Sequence, residues 1–132
     1  MNASSEEKIY KAIKDKQSVA EVISEENPGY LSIAGAQDKF PANFKNGKFY
    51  IPKDSSPTTH IVKVPIFRSG VKESVFNEFY CMKLAQLVGL KVSEVTILDD
   101  GKHPLFITER YDRIKNENGT FSRLHQQDFC QA

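Results

Sequence analysis

PTTHIVKVP (residues 57–65) sets one charge, Lys63, inside a short run of β-branched residues that ends at Pro65. Ile61, Val62 and Val64 suit a pleated, half-buried surface, and proline stops such a run because it has no N–H to donate. The run reads as a strand. Its lysine needs a reason, since an unpaired ammonium is costly to bury. Either it snorkels from an edge strand into water, or it meets an acidic partner or an anionic ligand.

Upstream lies LSIAGAQDKFPANF (residues 31–44), with three small residues, Ala34-Gly35-Ala36, between an apolar pair and a Gln-Asp-Lys triplet. Small residues let backbone N–H groups approach a ligand, and successive N–H groups in a turn make a concave anion site. A plain β-turn explains the same residues. Leu31 and Ile33, Phe40 and Phe44, and Phe49 and Ile51 recur as short strands, with a hairpin turn at Lys45-Asn46-Gly47. Ser55-Ser56-Pro57 closes that hairpin. Further back, Ser4-Ser5-Glu6-Glu7 is a helix-start signal, and Ile9, Tyr10 and Ile13 form a narrow apolar stripe. A second short helix is predicted over 18–24, broken by Asn27-Pro28-Gly29. Residues 1–29 therefore read as a polar, lightly packed helical lead-in, and 30–132 as the domain that follows.

Downstream, 71–88 is the strongest helix in the chain. Phe76, Phe79, Tyr80, Leu84, Leu87 and Val88 recur at three- and four-residue spacing, and Gly89 is a natural stop. Strands follow near 92–98 and 105–109, separated by a turn at Asp99-Asp100-Gly101. Residues 110–114 and 121–124 form a last hairpin, and His125-Gln126-Gln127-Asp128 opens a helix that the sequence does not complete. The fold class is α+β: a mostly antiparallel sheet, one long helix and the helical lead-in. Kinase small lobes use the same order, a loop over phosphates, a strand lysine that reaches them and a helix acid for that lysine. Glu78, early in the long helix, is the obvious acid, though a solvent-facing helix acid would look the same.

At 132 residues the chain fits one domain, and 39% hydrophobic with 27% charged residues is the balance of a soluble globular protein. Net charge is +1, which exerts no global pull toward nucleic acid or membrane. Between residues 39 and 72, seven basic residues face one acid, Asp54, a stripe that serves phosphates, a nucleic acid or simply solvation. Cys81 and Cys130 lie far apart without a C-x-x-C, which argues against a disulfide framework or thiolate metal site and fits a reducing cytosol. No apolar run approaches the roughly 20 residues needed to span a bilayer, and the charged N-terminus has no apolar signal core.

Five runs carry more than a pattern: SIAGAQDK, PTTHIVKVP, NEFYCMKLAQLVGL, ITERYDR and RLHQQDFCQ. In this order and at these intervals they closely resemble the HipA family of bacterial serine/threonine kinases, the toxins of type II toxin–antitoxin pairs. The resemblance covers about 30–132. It implies that Ala34, Gly35, Ala36, Gln37, Asp38 and Lys39 line the ATP phosphates, and that Lys63 reaches them too. Ser32 falls at the family's autophosphorylation site, whose modification expels the loop; otherwise it is an ordinary loop serine. Glu78 becomes the partner of Lys63 by analogy with the lysine–glutamate pair of other kinases. Glu109, Arg110 and Tyr111 fall at the hinge that hydrogen-bonds adenine, or are simply a strand end with alternating charges.

His60 and His125 match family positions but have no metal-like spacing, so both read as structural, and no metal ligand set is expected in this chain. Asp99-Asp100-Gly101-Lys102-His103 superficially resembles the family's catalytic loop, yet it precedes the hinge and lacks the asparagine; it reads as a tight turn. The resemblance places the catalytic loop and magnesium-binding aspartate downstream of residue 132, and the family's further N-terminal subdomain is likewise expected outside this stretch. In the intact family, ATP with magnesium phosphorylates a serine of a translation protein, typically an aminoacyl-tRNA synthetase, in the cytoplasm. A HipB-type DNA-binding antitoxin restrains it. The implied role here is the ATP-binding small lobe, inactive alone. The rival is a non-catalytic module that docks an antitoxin or kinase partner. Direct nucleic-acid binding through the basic stripe is disfavoured.

Overall fold

Short alternating segments build the centre of the molecule. In the computed structural model, which describes residues 3–26, 37–52, 56–99, 101 and 103–127, seven strands and three helices form. β1 (Lys39–Lys45), β2 (Lys48–Tyr50), β3 (His60–Lys63), β4 (Val95–Leu98) and β5 (Leu105–Glu109) make one sheet in the order β2-β1-β3-β5-β4. Every pairing in it is antiparallel, as expected. The β1–β2 turn is Asn46-Gly47, both at positive φ (53° and 73°), the geometry that matches the twist of the flanking strands and that this dipeptide tolerates. β6 (Arg113–Lys115) and β7 (Phe121–Arg123) form a separate hairpin.

Side chains alternate between the two faces of the sheet. Phe40 and Ala42 of β1, Val62 of β3 and Leu105 and Ile107 of β5 point to one face. There they bury against α1 (Ala3–Lys14) and α2 (Val19–Glu26) through Ile9, Ala12, Ile13, Val19 and Ile23. Phe40 meets Phe49 of β2 edge-on, with centroids 5.5 Å apart. This corrects the expectation of a lightly packed lead-in. Its helices supply five buried residues to the largest core cluster, because their apolar stripe packs on one face of the sheet.

The opposite face takes α3 (Ser74–Leu87), which starts three residues later than the predicted 71. Its N-terminus is fixed from outside, the Ser74 hydroxyl accepting a hydrogen bond from the Ile66 N–H at 2.9 Å. Gly89 ends it at φ 86°, as its position predicts. The apolar pattern of α3 resolves into two stripes rather than one core face. Val75, Phe79 and Met82 pack on Val95, Ile97 and Phe106. Tyr80, Leu84 and Leu87 lie roughly 150° round the axis and are 64%, 60% and 81% exposed. Helical spacing reports that residues share a face, not which face meets the sheet.

Candidate functional site

Lys63 ends β3 on the α3 side of the sheet. The register sets Lys39 of β1 directly across from it on one side and Phe106 of β5 on the other. Lysines opposite one another in an antiparallel pair repel, which weakens the ladder unless negative charge lies close by. Glu78 of α3 supplies some: its carboxylate accepts a hydrogen bond from the Lys63 ammonium in a close ion pair. Val75, buried against Phe106 one turn earlier, anchors the helix so that Glu78 overhangs the strand. The Phe106 ring also meets the ammonium, with Nζ 5.4 Å from the ring centroid. The Lys63 and Glu78 side chains are 22% and 31% exposed, so a ligand from solvent can reach both. Among the described residues Lys39 has no acidic partner, which leaves two cations and one carboxylate on this patch.

The residues just before Lys39 are tied into the fold. The Asp38 carboxylate accepts hydrogen bonds from the Val19 N–H at 2.6 Å and the Ala20 N–H at 3.2 Å, so it caps the start of α2. The Gln37 side-chain amide donates to the Val64 carbonyl at 3.0 Å. Ser32, Ala34, Gly35 and Ala36 lie outside the described residues, so the expected loop enters the structure only at Gln37.

At the far end of β5, the Glu109 N–H donates to the Glu94 carbonyl and the Arg110 N–H to the Thr59 carbonyl, both at 2.9 Å. The Arg110 side chain turns onto Asp112 with two parallel hydrogen bonds of 2.9 and 2.7 Å. Arg113 reaches the same carboxylate at 2.9 Å and donates to the Thr58 carbonyl at 2.7 Å. The hydrogen bond from Arg110 is the main reason the Asp112 carboxyl sits below its usual range, with burial opposing it. Tyr111 between them is 75% exposed.

The HipA-like C-terminal domain family model matches residues 31–132, more than three quarters of the sequence. The chain belongs to this HipA-like family. The serine/threonine-protein kinase toxin HipA of Shewanella oneidensis is 35% identical to it over 104 residues. Y4mE of Sinorhizobium fredii is 43% identical over 103 residues. Each alignment covers 77% of this chain and about a quarter of the relative (23% and 24%), so the chain spans only that share of their length. The solved structure of Shewanella oneidensis HipA, in complex with HipB and its operator DNA, superimposes with a TM-score of 0.61 at 30% identity. That match covers 86% of this chain and 29% of that one.

Within this HipA-like domain, Lys63, Glu78 and Lys39 come together, whereas Glu109, Arg110 and Tyr111 lie at the other end of the same strand pair. The basic stripe does not stay together. Lys39 and Lys63 share a sheet face, Lys45 and Lys48 flank the β1–β2 turn, and Arg68 and Lys72 precede α3. A cleft of about 300 Å³ opens on the other side of β3, lined by Lys16, Ser18, Gln37, Asp38, Val64 and Arg68 among others. It borders the α1/α2 core rather than the Lys63–Glu78 pair.

His60 is structural, as expected. Its ring packs edge-on against Phe44, its Nδ1 lies 2.8 Å from the Thr59 hydroxyl, and burial pulls its pKa below the usual value. Asp99 accepts a hydrogen bond from the Gly101 N–H at 2.9 Å, the tight turn predicted there. Sequence reasoning missed Phe106 and the Asp112 network. The buried run Leu105-Phe106-Ile107 carries no polar mark to separate its middle residue from a core strand. Asp112 and Arg113 did carry one, an acid beside a base directly after the strand.

Proposed function

We propose that the chain is the nucleotide-binding small lobe of a HipA-type serine/threonine kinase. The observation that carries this is the Lys63–Glu78 pair beside Lys39: a half-open, net-positive patch at the foot of a small-residue loop. ATP phosphates suit such a patch, since carboxylate-oriented ammonium groups donate to phosphate oxygens while loop N–H groups complete the cradle. Ala34, Gly35 and Ala36 supply those backbone groups. Lys39 and Lys63 donate directly, and Glu78 holds Lys63 extended. Gln37 and Asp38 act by bracing the loop's exit against Val64 and α2, which refines the expectation that they line the phosphates. The backbone of Glu109, Arg110 and Tyr111 meets the adenine edge. It lies three residues along the strand pair from Lys63, roughly 10 Å away, so the nucleotide lies along the sheet. Ser32, just before the loop, is the autophosphorylation site whose added charge repels the nucleotide.

In the longer kinase this lobe works with a second that carries the catalytic loop, and the product is a phosphoserine on a translation protein such as an aminoacyl-tRNA synthetase. The setting is the cytoplasm, under restraint by a HipB-type antitoxin. Among the described residues no group of three or more possible ligands could hold a metal ion, and none of their helices is long and apolar enough to cross a membrane. The magnesium carboxylates of this reading belong to the second lobe. The exposed α3 stripe favours a covering partner: the second lobe in a kinase, or an antitoxin or kinase chain if the module is non-catalytic.

Binding tests the proposal better than turnover. The 132-residue chain should bind a non-hydrolysable ATP analogue weakly by calorimetry, and Lys63→Met should cost about 10- to 100-fold in affinity. Equal affinity in the two proteins contradicts it.

A further inference from the structure

We propose that Phe106 is a positioning residue for Lys63, its ring face holding the ammonium where a phosphate meets it; this rests on the nucleotide reading above. Phe106 is 1% exposed, directly across the ladder from Lys63, with Nζ within 5.4 Å of its ring centroid. Its neighbours Leu105 and Ile107 face the α1/α2 core, so Phe106 is the one residue of that buried run aimed at the charged row.

An aliphatic side chain would supply the α3-facing core with apolar surface but no ring face. What the ring adds is a quadrupole whose negative face attracts a cation without carrying net charge. That distinction matters here. Glu78 already offsets one ammonium, and a second carboxylate in place of the ring would cancel the patch's remaining positive charge, leaving little to attract an anion. Lys39, opposite Lys63 on β1, pushes the ammonium away from that strand. Glu78 and Phe106 receive it on the far side, one with charge and one without. Ile97, Phe79 and Met82 pack around the ring's cluster and keep it from turning. The ammonium is thereby held in place but not neutralised, with an N–H left for phosphate oxygen.

The test uses the 132-residue chain with 4-fluoro-, 3,5-difluoro- and 3,4,5-trifluorophenylalanine at position 106, a series that keeps shape while weakening the ring face stepwise. Affinity for the non-hydrolysable ATP analogue should fall step by step, by about tenfold across the series. A flat series overturns the proposal, and because each variant keeps the ring's size the result does not depend on a disrupted core. A second readout needs no nucleotide. The 15N–1H correlation of the Lys63 ammonium, visible only when the group is held, should be sharp in the parent chain and broadened in Phe106→Leu, where Glu78 alone still holds it. An unchanged signal in Phe106→Leu contradicts the positioning role. Failure of the parent chain to bind nucleotide, with the ammonium signal still dependent on the ring, sinks the nucleotide reading and leaves the Phe106–Lys63 contact standing.

Discussion

The two faces of the central sheet divide the molecule's work. One face has an apolar centre: Phe40, Ala42, Val62, Leu105 and Ile107 close against α1 and α2 with almost no exposed surface, and only its end row adds His60 and Glu109. The other carries Lys39, Lys63 and Phe106, and α3 covers only part of it. The same strands supply both sets, because alternate residues of one strand point opposite ways. A kinase-type site needs charge next to a rigid wall, and a two-faced sheet provides that wall without burying the charge.

The contrast breaks most clearly through core truncation. Phe40→Ala should destabilise the chain by about 3–5 kcal/mol, seen as a lower urea midpoint, because it opens a cavity in the fully closed face. Lys63→Met, on the other face, should shift stability by no more than about 1 kcal/mol, since both members of its ion pair are partly exposed. If Lys63→Met unfolded the chain while Phe40→Ala left it intact, the division of labour would be wrong.

The Asp112 network is an intermediate case. Asp112→Ala removes the partner of Arg110 and of Arg113, whose side chain is only 6% exposed, and should cost about 1–3 kcal/mol. Proton linkage gives it a pH signature. The folded carboxyl of Asp112 lies below its unfolded value, so its contribution is complete above pH about 4 and is lost as pH falls through the lower folded value. His60 is also lowered in the fold, by burial of the neutral ring. Stability should therefore be flat above pH about 6.5 and begin to fall below it, and His60→Phe should remove that first decline.

The smallest effect belongs to the uncovered stripe. Leu87→Ser, at a residue 81% exposed, should leave stability within about 0.5 kcal/mol while weakening docking of the covering partner, measured by sedimentation of the mixture. A large loss of stability there would mean that the stripe packs internally after all.

Much of this was legible from residues. Alternation in 39–51, with Asn46-Gly47 between two of the strands, the β-branched run at 60–64 and the apolar run at 105–109 announced the sheet. Lys63 and Glu78 stood out because charge in an apolar strand demands a partner. The rest depended on tertiary placement. Ile9 and Ile13 were visible as a stripe, but their burial depends on Val62 and Leu105, far along the chain. Tyr80, Leu84 and Leu87 share the spacing of Val75, Phe79 and Met82, so period alone could not say which stripe meets the sheet. Asp38 looked like part of the loop's chemistry because nothing in its neighbourhood predicts that α2 begins beside it.

The most direct test of the central claim is an amide shift map of the 15N-labelled chain titrated with a non-hydrolysable ATP analogue. Shifts should gather at 37–39, at Lys63 and Glu78, and at 109–111, and should vanish in Lys63→Met. Shifts at α1, α2 and the Lys16–Arg68 cleft, whose lining includes Gln37 and Asp38, with Lys39, Lys63, Glu78 and 109–111 unmoved, would contradict the claim.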